Sequence, residues 1–191
     1  MAIISAVEDV ILAMVALALG NTIKEKKTVP GGWTMDTLKR ALQFTPGVYV
    51  TFQGAGPGAS DGYYNGKFTV YLVNKGAAEP DRRRGNPRVI GAYDMLERLL
   101  PRLGGLSVPE VGTLEIGGVD NLFRDAMFDL GGTVYGINLT LPNMPFDYEA
   151  DLTGPGLADF VLFHSEAYNP DGIAGGEEPL IIAEQHLHQE V

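Results

Sequence analysis

The chain contains no cysteine. That excludes disulfide staples, cysteine nucleophiles and zinc–thiolate sites, and it fits a reducing compartment or a particle assembled in one. Basic residues are missing from the last third. All 14 Lys and Arg lie in residues 1–124 beside 12 of the 24 acids, while residues 125–191 hold the other 12 acids and neither Lys nor Arg. A stretch of that sign repels phosphate backbones, whose binding requires neutralisation by Lys and Arg. It leaves open an electrostatic match with a basic partner, or with a basic patch on a neighbouring copy. Long apolar runs are lacking too. The longest, Val10–Leu19, has ten residues, and Glu8 and Asp9 precede it instead of Lys or Arg. This pattern suits neither a membrane span nor a secretory signal, and predicts a helix buried on most sides, capped by Ser5 with Glu8 three residues on.

What is present is globular: 191 residues, 45% hydrophobic and 20% charged, enough for one domain with a real core. Past the first helix, "TIKEKKTVPGGW" predicts a short exposed strand closed by a Pro-Gly-Gly turn. Thr34 is placed to cap a second helix with Met35, Leu38, Ala41 and Leu42 on one side. Two strands follow by their period of two. In "GVYVTFQ", Val48, Val50 and Phe52 oppose Tyr49, Thr51 and Gln53; in "GKFTVYLVN", Phe68, Val70 and Leu72 oppose Thr69, Tyr71 and Val73. Between them "GAGPGASDGYYNG" predicts a projecting, mobile hairpin loop that offers Gly54, Gly56, Gly58, Tyr63 and Tyr64 to a partner. It is no phosphate loop, because no lysine follows the glycines and no helix follows the loop.

The basic cluster lies in "EPDRRRGNPRVIGAYDMLERLL", where Asn86-Pro87 predicts the start of a helix with an apolar stripe of Ile90, Tyr93, Leu96, Leu99 and Leu100. Asp94, Glu97 and Arg98 turn outward, and Pro101 with Gly104-Gly105 stops the helix. Arginines ahead of a helix N-terminus oppose the dipole. Arg82, Arg83, Arg84 and Arg88 are therefore candidate contacts to another protein, and charge reversal at Arg83 and Arg84 is expected to impair assembly without harming the fold. "GTLEIGG", "NLFRDAMFDLGG" and "TVYGINLTLP" are candidate strands, the last with Tyr135, Ile137, Leu139 and Leu141 on one face. The order predicts an α+β fold: a mixed, mostly antiparallel sheet with helices mainly on one face. Residues 1–150 form this domain, and 151–191 an acidic C-terminal extension whose final ten residues are loosely held.

Catalytic patterns are absent: no Gly-x-Ser-x-Gly elbow and no His-Glu-x-x-His helix. His186 and His188 supply too few ligands for a metal site. His164 beside Glu166 reads as a hydrogen-bonded polar residue where the extension docks, or else as a proton-transfer pair in an enzyme or small-molecule-binding domain. No catalytic residue, cofactor or metal is expected.

The strand "KFTVYLVNKGAAEP", the arginine-rich "DRRRGNPRV" and the helix "GAYDMLERLLPRLGGLSV" together resemble one family, the Mu-type phage tail terminator or tail completion proteins. The helix "AVEDVILAMVALAL", the strand "PGVYVTFQGAG", the region "LFRDAMFDLGGTVYGINLTLP" and the tail "FHSEAYNPDG" extend the resemblance over most of the chain. It implies a structural protein without an active site. Such proteins form a homo-oligomeric ring, usually of six subunits, on the last ring of the tail tube protein. The ring ends polymerisation and meets the neck or connector proteins of the filled head. The implied place is the head-proximal end of the virion tail, after assembly in the host cytoplasm; DNA passes through, and neither a membrane nor a nucleic-acid sequence is bound. Another neck or connector protein of similar fold is the alternative.

Overall fold

The computed structural model describes residues 2–31, 34–76, 78–122, 130–146, 162–166 and 182–186. The chain divides into two compact units, Met1–Phe146 and Asp147–Val191.

The first unit begins with α1 (Ile3–Leu19). The Ala2 carbonyl already accepts from Ala6 N–H, so the helix starts ahead of Ser5, which lies in its first turn instead of capping it. Gly20 ends it at φ +51°, and Thr22 Oγ1 donates to the Leu19 carbonyl at 2.6 Å. Only one stripe is buried, Val7, Ile11, Val15 and Leu19 at i, i+4 spacing, and Leu17 on the far side is 77% exposed. The expectation of burial on most sides holds in part: Ile3, Ile4, Val10, Leu12, Met14 and Ala18 beside the stripe are half-buried against the core, and the side that carries Leu17 is open. Helix and following turn, Ile3–Thr22, are also long and apolar enough by composition to cross a membrane. The ten-residue run understates this because Ser5, Glu8 and Asp9 sit inside the helix. In this fold the stripe belongs to the main core.

Five strands form the main sheet: β1 (Glu25–Thr28), β2 (Gly47–Pro57), β3 (Tyr63–Lys75), β6 (Glu115–Asn121) and β7 (Gly132–Pro145). Between β3 and β6 the chain makes two helices, α3 (Glu79–Arg84) and α4 (Ala92–Leu103), and a small hairpin of β4 (Ser107–Val108) and β5 (Gly112–Thr113). The spatial order in the sheet is β1-β2-β3-β7-β6. β1 runs parallel to β2 and every other pair is antiparallel, so the fold is α+β with a mixed, mostly antiparallel sheet. The period-two readings hold. Val48, Val50, Phe68, Val70, Leu72, Tyr135, Ile137, Leu139 and Leu141 share the core with α1 and α4. Tyr49, Tyr71, Val73 and Val134 face the other way, onto Leu38, Ala41 and Leu42 in and just after α2 (Met35–Ala41). Thr34 caps α2 as expected, accepting from Thr37 N–H at 3.2 Å. Residues 123–129, most of the candidate strand "NLFRDAMFDLGG", lie outside the described residues.

β1 is tied to the sheet by charge. The Tyr49 hydroxyl donates to Glu25 Oε2 at 2.6 Å, Lys27 Nζ donates to Glu25 Oε1 at 3.0 Å, and the same ammonium lies 5.7 Å from the Tyr49 ring centre. Burial first, and then the Glu25 carboxylate, push the Tyr49 hydroxyl well above the usual tyrosine range.

In the second unit β8 (Leu162–Glu166) pairs antiparallel with β9 (Ile182–His186), with His164 opposite Glu184. The turn expected at "NPDG", the residue His188 and the rest of that unit lie outside the described residues.

Candidate protein interface

The basic cluster is itself a helix. α3 has Pro80 in its first turn beside Glu79 and Asp81, and Arg82, Arg83 and Arg84 in its last turn. The arginines thus sit at a C-terminus, where the dipole favours cations. The opposition expected from a following helix does not arise. Asn86-Pro87 starts no helix either. Asn86 Oδ1 accepts from Arg88 and Val89 N–H, and Asn86 and Val89 bridge across a tight turn. α4 begins only at Ala92, where Asp94 Oδ2 accepts from Gly91 N–H at 3.3 Å. The buried stripe of α4 is Ala92, Met95, Leu99 and Leu103. Of the expected stripe only Leu99 is buried, and Ile90, Tyr93, Leu96 and Leu100 border it. Pro101 lies inside the helix, and Gly104 ends it.

Two glycines let α3 and α4 meet. Gly85 has φ +78°, and a Cβ there would lie 2.6 Å from Gly91 N. A Cβ on Gly91 would lie 2.5 Å from the Arg83 carbonyl oxygen and closer still to Gly85 N. Backbone touches backbone, and no side chain fits between.

The four arginines separate by environment. Arg82 is buried and donates through Nη1 to the Gly76 carbonyl at 2.7 Å. Asn74 anchors the same corner, donating to the carbonyls of Arg82 and Ile90. Arg83 pairs with Glu79 one turn earlier, donates to the Tyr93 hydroxyl at 3.2 Å and lies 5.8 Å from that ring's centre. The hydrogen bond from Tyr135, and then that from Arg83, lower the Tyr93 pKa; burial first pushes Tyr135 up to about 12. Arg84 and Arg88 are exposed, and no ion pair to either side chain occurs among the described residues. Arg82 therefore serves the fold and is not offered to a partner. Reversing Arg83 would break its Glu79 and Tyr93 contacts, contrary to the expectation that the fold is indifferent to it. Of the two residues that sort the arginines, Tyr93 is read from the sequence only as part of an apolar stripe, and Glu79 has no role there. Of their relations to Arg83, only the i, i+4 spacing from Glu79 is a readable signal.

The glycine-rich segment is also more regular than expected. The β2–β3 ladder continues through Gly54↔Lys67, Ala55↔Gly66, Gly56↔Asn65 and Pro57↔Tyr64, and β7 continues alongside to Pro145. A loop was expected because glycines give no side-chain period; the ladder is held by backbone pairing. Gln53 forms a bulge, and its Nε2 donates to the Tyr71 hydroxyl at 3.0 Å. A Cβ on Gly54 or Gly56 would meet nothing within 4 Å, whereas one on Gly58 would strike the Tyr63 carbonyl. Tyr63 and Tyr64 are 44% and 41% exposed, and the Tyr64 ring meets Phe146 edge-on at 5.3 Å.

The described residues contain no cluster of metal-ligating side chains. Residues 3–143 match the family model described as Bacteriophage Mu, Gp37. The chain belongs to that family. Its Gp37 relatives include "Mu-like prophage FluMu protein gp37" of Haemophilus influenzae, 26% identical over 171 residues, 90% of this chain and 84% of the relative. Another is "Probable tail terminator protein" of Escherichia phage Mu, 24% identical over 131 residues, 68% of this chain and 69% of the relative. A chain from the "Virion of native gene transfer agent (GTA) particle" overlaps with a TM-score of 0.45 at 12% identity, covering 75% of this chain and 98% of that one. That likeness is too distant to bear on function.

Proposed function

We propose that this chain is a tail terminator, a structural and non-enzymatic protein at the head-proximal end of a phage tail. Copies associate into a ring, six in number, on the last ring of tube protein. The ring ends polymerisation and offers its other side to neck proteins, with DNA passing through the centre. The observation that carries the reading is the family match over residues 3–143, joined to the relative in phage Mu that bears the terminator name. Exposed Arg84 and Arg88, and a β2–β3 hairpin ending in exposed Tyr63 and Tyr64, are suited to contacts between subunits and rings. The acidic residues 151–191 act as an extension of this domain in the assembly.

Deleting the gene and imaging the lysate by electron microscopy tests the proposal. Overlong or headless tails are the expected result. Tails of normal length joined to heads would overturn it.

A further inference from the structure

The start of α1 and the hairpin that follows α4 form a groove whose character is opposite to the arginine corner. The β4–β5 hairpin lies against α1. Between that hairpin and the start of α1 is a cavity of about 580 Å³, floored by Ile3, Ala6, Val10 and Val111 and rimmed by Asp9 and Glu110. The hairpin turn closes with Val111 N–H donating to the Val108 carbonyl, and Glu110 holds φ +63° within it. Glycine is the usual residue in that left-handed region, and a residue with a side chain is strained there. The strained position puts an exposed acid on the rim of an apolar groove.

Ahead of α4 lies a surface of the opposite charge. The Asn86–Val89 turn presents Val89, 39% exposed, flanked by exposed Arg84 and Arg88. The turn precedes α4 and the β4–β5 hairpin follows it, and the 12 residues of α4 make a helix about 18 Å long between them. We propose that the Asn86–Val89 turn of one copy seats in the α1–β4–β5 groove of the next, with Val89 on the apolar floor and Arg88 against Asp9 and Glu110. Two different, complementary patches on one domain make a head-to-tail contact, the kind that closes into a ring. This rests on the ring reading and names the contact that builds it.

The absence of native cysteine makes the test clean. Pro87→Cys, Pro109→Cys and the double variant, which leave Val89, Arg88, Asp9 and Glu110 in place, are expressed in cells complementing the deletion, and isolated tails are treated with a short bismaleimide. The double variant is expected to give a ladder of linked copies, and each single variant only monomer. In a second arm, Arg88→Glu or Asp9→Arg alone should cut the laddered fraction about tenfold or more in the double-cysteine background, since like charges then face each other across the contact. The two reversals together should restore it. Ladders from a single variant, or no ladder from the double variant in tails that contain the protein, would overturn this contact while leaving the ring standing. Absence of the unsubstituted protein from tails would instead overturn the ring reading itself.

Discussion

Gly91→Ala places a methyl group inside the backbone of the arginine helix. The added Cβ would lie 2.5 Å from the Arg83 carbonyl oxygen, well inside van der Waals contact. No rotamer change can relieve it, because the obstacle is main chain. Overpacking a tight site costs about 1–3 kcal/mol, and the overlap here with three backbone atoms places Gly91→Ala at the upper end, about 3 kcal/mol. For a domain of this size each kcal/mol moves the midpoint by roughly 2–4 °C, so the expected fall in Tm is about 6–12 °C. Gly56→Ala is the control. Its Cβ would meet nothing within 4 Å, and its effect should stay within about 0.5 kcal/mol. Thermal and urea unfolding of the two variants beside the parent protein measure the difference. A Gly91→Ala protein as stable as the Gly56→Ala protein would refute the reasoning.

Tyr49→Phe leaves the partly buried Glu25 carboxylate without its 2.6 Å donor and should cost about 1.5–3 kcal/mol in urea unfolding; an unchanged midpoint would mean that β1 is not held this way. Glu8 has a raised pKa, chiefly through burial, opposed by a hydrogen bond from the Phe52 backbone and reinforced by Asp9. The folded state therefore binds the proton more tightly, so the penalty on the charged form is full above the folded pKa and fades as pH falls toward the ordinary glutamate value. Glu8→Gln should gain most over the parent near pH 7 and lose that advantage as the pH drops toward 4.5, read from Tm against pH; an advantage that is flat with pH would contradict it.

The strands were legible because Val48, Val50, Phe68, Val70, Leu72, Ile137 and Leu139 repeat at every second position and are buried on one face. The α2 cap was legible because Thr34 is the residue type that satisfies a free N–H there. α3 escaped because six residues are too few to show a helical period, although Pro80, the acids beside it and Gly85 are all helix-boundary signals. The glycine-rich ladder escaped because backbone pairing leaves no trace in side chains. The burial of Arg82 could not be read at all, since it depends on the Gly76 carbonyl meeting the guanidinium. Within the candidate interface, the sequence located the basic segment, and the fold decided which of its charges remain at the surface.

That division of the arginines has a consequence for ionic strength. The contacts of Arg82 and Arg83 are made within the chain, at short range and partly shielded from solvent. Exposed Arg84 and Arg88 act across water, where added salt shortens the reach of a charge to about 8 Å near physiological strength and about 3 Å at 1 M. Salt therefore works on one pair of arginines and spares the other. In the proposed ring, concentrated salt is expected to loosen subunits from one another while each remains folded, and dilution to let them come together again.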